Sequence, residues 1–391
     1  MARPHSHGAG TQATYSSRAD RPSSFDLADI PAPMGREEDW RFTPMNRIKF
    51  LFDESAYEQE NLGVSVTAPK EVTFETLDAK EAGLDPILAP GDRTAVVSWV
   101  NSDVVNLIDI PAGKALEEPV YVTVEGASET PQVQRIYVRA GVASEAVVVI
   151  SHKGAGKLNQ TIEIDAQDSA KLTVVSLQEW EDTATHASNH RLRAGRDTQL
   201  RHIVVTLGGD LVRISADTEF ASPRGNIEML GLYFVDAGQH FEHRPFIAHT
   251  QPNCYSRVTY KGALQGKDAH AVWVGDCLIG ANADGTDTYE LNRNLVLTDG
   301  ARADSVPNLE IENGEIEGAG HASATGRFDD EQLFYLMARG ISERDARRLV
   351  VLGFFGELIN QIGIPAVEEH LLQLVEAELE SGGAMEKLVT Q

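Results

Sequence analysis

Three short segments of the sequence repeat one pattern: Ser169-Ala-Lys-Leu172, Asp197-Thr-Gln-Leu200 and Arg224-Gly-Asn-Ile227. In each segment, small or polar turn residues precede the apolar start of a strand. The last residues of the three segments stand 28 and 27 residues apart. The coils of a β-solenoid stack at periods of this size, because each coil buries its apolar side on the next. The repeat favours a β-helix, and a β-sandwich or a barrel is the alternative.

Short β-rich runs extend this pattern in both directions, from about residue 94 to residue 321. Turn residues of the Gly, Asp and Asn type separate the runs, and no convincing amphipathic helix interrupts them. A centre of this kind makes the chain mainly β. The strands that we predict are Ala95–Val100, Val133–Val138, Ala146–Ser151, Thr161–Ile164, Lys171–Leu177, Leu200–Leu207, Ile227–Phe234, Ala271–Leu278, Asn294–Leu297 and Ser305–Ile311.

The two ends of the chain differ from this β-rich centre. Residues 1–24 are rich in small and polar residues and lack the apolar core of a signal peptide, so we predict a disordered tail. A mixed, partly helical region follows over residues 25–93, in which Thr43 is placed to cap a short helix. The β-rich core then spans residues 94–322. A helical domain completes the chain over residues 323–391.

Three short helices are predicted in this C-terminal domain. Gly340 ends the first helix, Ser342 caps the second and Gly363 ends it, and Pro365 starts the third. The last strands of a solenoid expose unpaired backbone groups that need cover. We therefore expect the three helices to cap the open end of the solenoid.

Composition argues against several classes of function. The 391 residues carry a formal net charge of −25, which disfavours nucleic acid and anionic membranes as partners. No apolar run approaches the roughly 18 residues of a membrane span. The two cysteines, Cys254 and Cys277, form no CxxC motif and fit a protein of the reducing cytoplasm. Glycine loops of the GxxxxGK(S/T) and GxGxxG types are absent, so we expect no nucleotide bound by the chain itself.

His321 is the strongest single candidate for chemistry. It stands in Gly318-Ala-Gly-His-Ala322, where small neighbours let a ligand or another backbone approach closely. A neutral imidazole is a good ligand for iron or zinc. A structural histidine at a strand-to-helix corner is the alternative.

Three further histidines, His240, His243 and His249, are close in sequence, but strand geometry argues against a shared metal site. Residues three positions apart face opposite sides of a strand, and Pro245 disturbs the strand between the second and third histidines. Two ligands on one face would still fall short of the usual three or four. Ordinary polar packing is therefore the favoured interpretation of these histidines.

Three segments have distinctive sequences: Glu37-Glu-Asp-Trp-Arg-Phe-Thr-Pro44, the strand-rich stretch His249–Leu297, and the run from Ala303 to Phe355. In the last of these, an alternating strand leads through His321 to a sharply capped helix. Together the segments resemble the SufB/SufD family of the SUF iron–sulfur cluster assembly machinery. The compact length and His321 favour the SufD branch, since SufB proteins are usually longer and richer in cysteine.

The resemblance implies a right-handed parallel β-helix between N-terminal and C-terminal helical regions. It also implies a non-catalytic, cytoplasmic scaffold that pairs with SufB edge to edge through the β-helix, a homodimer being the alternative for the isolated chain. By the same resemblance, His321 lies at the SufB interface and is a ligand of a transient iron–sulfur cluster. Family members often carry Cys two residues before this histidine, and Ala319 in that position removes a thiolate.

The resemblance further implies that the C-terminal helices dock the ATPase SufC. The apolar stripes of these helices exceed what one small bundle needs, and their arginines form a basic rim on an acidic chain. Arginine suits such a contact because its planar fork makes bidentate ion pairs. The expected docking residues are Arg339, Arg344, Arg347, Arg348, Leu349 and Phe354.

A carbohydrate-active β-helix lyase or hydrolase is the alternative function. Such an enzyme would display paired carboxylates along a groove, and nothing in the spacing of Asp276, Asp284 and Asp287 selects a pair. A SufB-type cluster scaffold is a third interpretation. It would need more cysteine ligands than the two that this chain has.

Overall fold

The computed structural model of this chain consists of two long sheets wound around one core. It describes residue 17 and residues 20–58, 61–328 and 330–381, so most of the expected tail lies outside the described residues. Successive strands alternate between the two sheets, and about eight turns form a β-solenoid with flanking helices. The predicted mainly β, parallel β-helix fold is thereby confirmed, and the sandwich and barrel alternatives are excluded.

The elements are numbered in chain order. The α-helices are α1 (Met45–Ile48), α2 (Arg93–Asn101), α3 (Asp330–Met337), α4 (Glu343–Ile359) and α5 (Pro365–Ser381). The strands are β1 (Ser65–Thr67), β2 (Thr73–Asp78), β3 (Val104–Ile110), β4 (Val120–Gly126), β5 (Gln132–Ala140), β6 (Glu145–Gly154), β7 (Lys157–Ala166), β8 (Lys171–Trp180), β9 (Thr185–Ala194), β10 (Gln199–Thr206), β11 (Leu211–Phe220), β12 (Asn226–Val235), β13 (His240–His249), β14 (Tyr255–Leu264), β15 (His270–Ile279), β16 (Asp287–Val296), β17 (Arg302–Ile311) and β18 (Gly318–Arg327).

Each sheet has nine strands in a simple order. Sheet A runs β1-β4-β6-β8-β10-β12-β14-β16-β18, and sheet B runs β2-β3-β5-β7-β9-β11-β13-β15-β17. Only β1 and β2 pair antiparallel with their neighbours, and all other pairs are parallel. The parallel coils therefore begin at β3, and the solenoid ends in two edge strands, β17 and β18.

The sequence repeat marks successive coils of sheet A. Leu172 of β8 pairs with Leu200 of β10, which pairs in turn with Ile227 of β12. The predicted stacking of the three segments is thus confirmed residue by residue. The residue that opens each segment has a positive φ, 60° at Ser169, 55° at Asp197 and 63° at Arg224.

The predicted strand at Ala95–Val100 is wrong, because these residues belong to helix α2. The side chain of Asp92 caps this helix by accepting a hydrogen bond from the backbone N–H of Ala95. The helix buries Thr94–Ser98 against β5, β7 and β9 of sheet B. Burial on the sheet therefore outweighs the strand preference of this valine-rich segment.

The N-terminal segment is held on sheet B by a buried polar network. Arg244 of β13 donates to Asp39 at 2.7 Å and to Glu242 at 3.2 Å, and Arg213 of β11 lies 3.4 Å from the same Glu242. The hydroxyl of Thr43 donates to Glu242 at 2.7 Å, so the predicted capping role of Thr43 is wrong. Pairing of both signs of charge offsets the cost of burying them.

The expected place of the C-terminal helices is also wrong. Helices α4 and α5 lie on the outer face of sheet A, where Phe355 and Leu371 join a buried cluster with Val205 and Leu232. The outward side chains of these central coils are apolar, and an apolar sheet face must be covered. Since the helices cover this face, they leave the two edge strands at the end of the solenoid free.

Most of the predicted ends of these helices agree with the structure, but α4 ends at Ile359, before the predicted stop at Gly363. The Ser342 hydroxyl accepts a hydrogen bond from the backbone N–H of Asp345, and α5 starts at Pro365. Gly340 and Gly363 have φ values of 84° and 70°, which is the left-handed conformation that ends helices. None of the described helices is long and apolar enough to cross a membrane.

Candidate functional site

His321 lies in the middle of β18, at the open end of sheet A. It is in register with Glu290 of β16, and its side chain is exposed. The exposure has a simple cause: β18 is the last strand of the sheet, so no described strand stacks on its outer edge. The solenoid therefore ends with an imidazole available to a partner or a ligand.

Contacts on either side of His321 show which way its side chain faces. The amide of Asn294, a buried inward residue, donates to the hydroxyl of Thr325 at 3.5 Å. A side chain built on Gly320 would instead come within 3.0 Å of the exposed ring of Tyr289. Because alternate residues share one face of a strand, His321 faces the interior side together with Thr325. It is the last member of an inward column.

Glu290 precedes His321 in this column and is a buried carboxyl group. Its side chain is 1% exposed, and neither carboxyl oxygen has a hydrogen-bond partner among the described residues. Burial and then the nearby charge of Asp276 raise the pKa of Glu290 to about 8. Gly275 of β15 makes room for this group, since a Cβ on Gly275 would lie 3.0 Å from Oε2 of Glu290.

Several other inward positions of the last coils are also polar. His249 Nε2 lies 2.8 Å from the Ser256 hydroxyl, which lies 2.7 Å from the hydroxyl of Thr288. Cys277 packs beside Ala319, and its Sγ is 3.6 Å from the same Thr288 hydroxyl. Burial raises the pKa of the Cys277 thiol to about 12, so the predicted small, buried cysteine is confirmed. This thiol is unreactive as it stands.

The remaining histidine cluster is divided between two faces, as strand geometry predicts. His240 faces outward, with its Nδ1 3.1 Å from Nδ1 of His270. His243 faces inward, where its Nε2 lies 2.9 Å from the hydroxyl of Thr206. In the part of the chain that the structure describes, no three His, Cys, Asp or Glu side chains are grouped to hold a metal ion.

The three aspartates that could have formed an enzyme site do not lie together. Each has its own partner: Asp276 accepts from Asn308, Asp284 from Asn313 and Asp287 from Arg257. These pairs belong to successive turns and strands of the coil. They form structural links between coils and not a shared acid–base pair.

Comparison with known proteins agrees with this architecture. A family model described as "SUF system FeS cluster assembly, SufBD core domain" matches residues 122–354, a range that includes β16, β18 and His321. The chain belongs to the SufBD family. The matched range covers the coils from β4 through β18 and ends within α4.

Relatives of similar length carry the family name without a subunit assignment. An iron–sulfur cluster assembly SufBD family protein of Mycobacterium tuberculosis is 49% identical over 372 residues, which cover 93% of this chain and 94% of that protein. The corresponding protein of Mycobacterium leprae is 47% identical over 364 residues, covering 91% and 93%. The Escherichia coli iron–sulfur cluster assembly protein SufD is 28% identical over 196 residues, covering 50% of this chain and 46% of that protein.

Three of the six expected docking residues of this SufBD chain are exposed. Arg339 follows α3, and Arg344 and Leu349 lie on α4, with Leu349 50% exposed. The other three are engaged within the chain: Arg347 donates to Glu343, Arg348 donates to Glu376, and Phe354 packs between α4 and sheet A. A partner can therefore reach Arg339, Arg344 and Leu349 without breaking the ion pairs of Arg347 and Arg348.

Helix α3 adds an apolar surface whose exposure was not predicted from the sequence. Phe334, Tyr335 and Met337 are 74%, 55% and 43% exposed. The guanidinium of Arg339 lies 4.3 Å from the centre of the Tyr335 ring. We call Phe334, Tyr335, Met337 and Leu349 the α3–α4 patch. The sequence showed that these helices have more apolar residues than a small bundle can bury. It did not show which of these residues remain exposed.

Proposed function

We propose that the chain is a SufD-type, non-catalytic scaffold subunit of an iron–sulfur cluster assembly complex. The observation that carries this proposal is the open end of the solenoid, where two edge strands lie beside the exposed His321. Free edges of parallel strands are templates for pairing with another chain. A SufB-type β-helix is the partner that we infer for this end.

The nascent cluster is cargo at this interface, and His321 is its ligand from this chain. A neutral imidazole coordinates iron, and the small residues around His321 leave space for a bulky ligand. Ala319 supplies no thiolate, and the thiol of Cys277 is buried with a raised pKa. Most cluster ligands must therefore come from the partner, which supports a SufD-type role over a SufB-type role.

We further propose that the α3–α4 patch docks a SufC-type ATPase. The patch is apolar and is rimmed by Arg339 and Arg344, a composition typical of the anchors of protein interfaces. The nucleotide belongs to the ATPase, because this chain has no phosphate-binding glycine loop. A cytoplasmic location is consistent with two cysteines that are both free and buried.

Co-purification with SufB tests the proposed pairing. Ser323 is an exposed inward residue of β18, so a lysine in its place puts a charge into the proposed junction. We expect Ser323→Lys to abolish capture of SufB by the full chain. Thr67→Lys is the matched control, because Thr67 is exposed on β1 at the opposite edge of the same sheet. Undiminished capture of SufB by Ser323→Lys would contradict the proposal.

A further inference from the structure

We propose that Glu290 and His321 together bind a divalent transition-metal ion at the open end of the solenoid. The two residues are register partners on adjacent parallel strands and face the same side. Neighbouring strands lie about 4.8 Å apart. Donor atoms from two such side chains can therefore reach one ion at ordinary metal–ligand distances of about 2.1 Å.

The carboxyl group of Glu290 is the feature that lacks another explanation. Buried polar groups are nearly always hydrogen-bonded, and an unpartnered carboxyl is costly. Glu290 has no such partner among the described residues, although its side chain is almost fully buried. A bound cation would supply the missing partner to Glu290.

The surroundings of Glu290 combine one aromatic ring with further polar side chains. Gly275 stands opposite the carboxyl group, and a Cβ there would overlap the Trp273 ring and lie 3.0 Å from Oε2 of Glu290. Thr288 and Asn292, two positions before and after Glu290, face the same interior side and are buried. Thr288 and Asn292 thus place oxygen and nitrogen atoms on either side of Glu290 along β16.

The donor types select the class of metal. One carboxylate and one imidazole suit Fe²⁺, Mn²⁺, Co²⁺ and Zn²⁺ better than Ca²⁺ or Mg²⁺, which prefer oxygen ligands alone. Two protein donors leave most of the coordination sphere of the ion open. An open coordination sphere is required if the site is to transfer its ion to another molecule. The choice of iron as the natural occupant rests on the proposed function, but the site itself rests on the geometry of Glu290 and His321.

Protection of His321 from chemical modification by Co²⁺ tests the site in the full chain. Diethyl pyrocarbonate modifies accessible imidazoles, and the extent of modification at each histidine is read by peptide mass spectrometry. We expect Co²⁺ to slow modification of His321 in the wild type. Glu290→Gln should raise the Co²⁺ concentration needed for half-protection at least tenfold, and Glu317→Gln, which changes an exposed carboxylate near β18, should not. His370, on α5, is an internal control that Co²⁺ should not protect.

Two results would overturn the site: no protection of His321 in the wild type, or equal protection in Glu290→Gln. Thermal melting of Glu290→Gln confirms that the variant is folded, and the isosteric amide keeps the space filled. The experiment does not involve SufB, so a negative result would reject the metal site without testing the proposed function. Protection that depends on Glu290, together with failure to capture SufB, would retain the metal site and reject the partner.

Discussion

One inward column of sheet A changes its chemistry along the solenoid. Met229 and Val258 occupy this column in earlier coils and are fully buried, whereas Glu290 and His321 follow them in the last two. The same column also passes through His202 in a middle coil, where the imidazole is buried and lies 2.7 Å from that of His190. A polar group in the middle of the stack needs a partner within the chain, whereas one at the open end is accessible to another molecule.

His321 could be predicted from the sequence, and Glu290 could not. The small residues around His321 and the family motif mark it as a functional position. Glu290 is one of 59 acidic residues, and no local pattern distinguishes it from the others. Its importance comes from the register that places it beside His321, and from the burial that leaves it without a partner. The register between two strands cannot be predicted from one sequence when the turns that connect them vary in length.

At a single turn position, we predict that Ser169→Gly stabilises the chain. Ser169 is exposed and has a φ of 60°, a conformation that costs a residue with a side chain about 1 kcal/mol. Glycine adopts it freely, although the greater freedom of the unfolded chain offsets part of the gain. We expect the free energy of unfolding, from urea titration, to rise by about 0.5 kcal/mol. Ser55→Gly, at an exposed site without positive φ, should give no gain, and a less stable Ser169→Gly would contradict the prediction.

At the scale of elements, the sequence predicted where the helices begin and end better than where they pack. Ser342 and Pro365 carry local signals, because a cap or a missing N–H acts within one turn. The position of α4 and α5 depends instead on the outward residues of many strands, which become one apolar face only after the coils stack. Helix α2 could not be predicted for the same reason. Its valines are typical of a strand, and the helix is favoured by its contacts with sheet B.

For the α3–α4 patch, we predict that Phe334→Ser weakens binding of a SufC-type ATPase at least about 30-fold. Phe334 is 74% exposed, so its loss leaves no cavity in the chain, whereas loss of an anchor at an interface typically weakens binding by 2 or more kcal/mol, or about 30-fold. Binding of SufC to the full chain is measured by calorimetry. Leu372→Ser on α5 is the control, since Leu372 is another exposed apolar residue on a different helix.

Unchanged affinity of SufC for Phe334→Ser, or an equal loss with Leu372→Ser, would contradict docking at the patch. Point variants are preferable to deletion of the C-terminal helices. Removing α4 and α5 would expose the apolar outer face of sheet A, including Val205 and Leu232. The truncated chain would then lose stability and solubility for reasons unrelated to the ATPase.

At the scale of the whole molecule, the interior of the solenoid carries a set of buried histidines. They are His152, His186, His190, His202, His243 and His249. Burial lowers the pKa of each, to about 4 for His152 and about 3 for His202, His243 and His249. The folded chain therefore holds these imidazoles neutral at neutral and mildly acidic pH.

This set of histidines predicts a loss of stability in mild acid. Below the ordinary histidine pKa of about 6.5, the unfolded chain takes up protons that the folded chain cannot, so stability falls as the pH falls from 7.5 to 5.5. Each histidine contributes roughly 1 kcal/mol to this fall. Glu290 and Glu378, whose pKa values are raised to about 8 and about 7, act in the opposite direction. We expect a net fall of a few kcal/mol in urea unfolding, and an unfolding free energy that is constant or higher at pH 5.5 would contradict the account.

The measurement that tests the central claim most directly is cluster formation by a complex reconstituted with His321→Ala. His321 is exposed among small residues, so its removal should cost on the order of 1 kcal/mol of stability. We predict that the variant assembles with SufB and SufC, melts within a few degrees of the wild type, and forms much less cluster by iron and sulfide content. His370→Ala, at a half-buried histidine of α5 away from the open end, should form cluster normally. Normal cluster yield with His321→Ala would contradict the account.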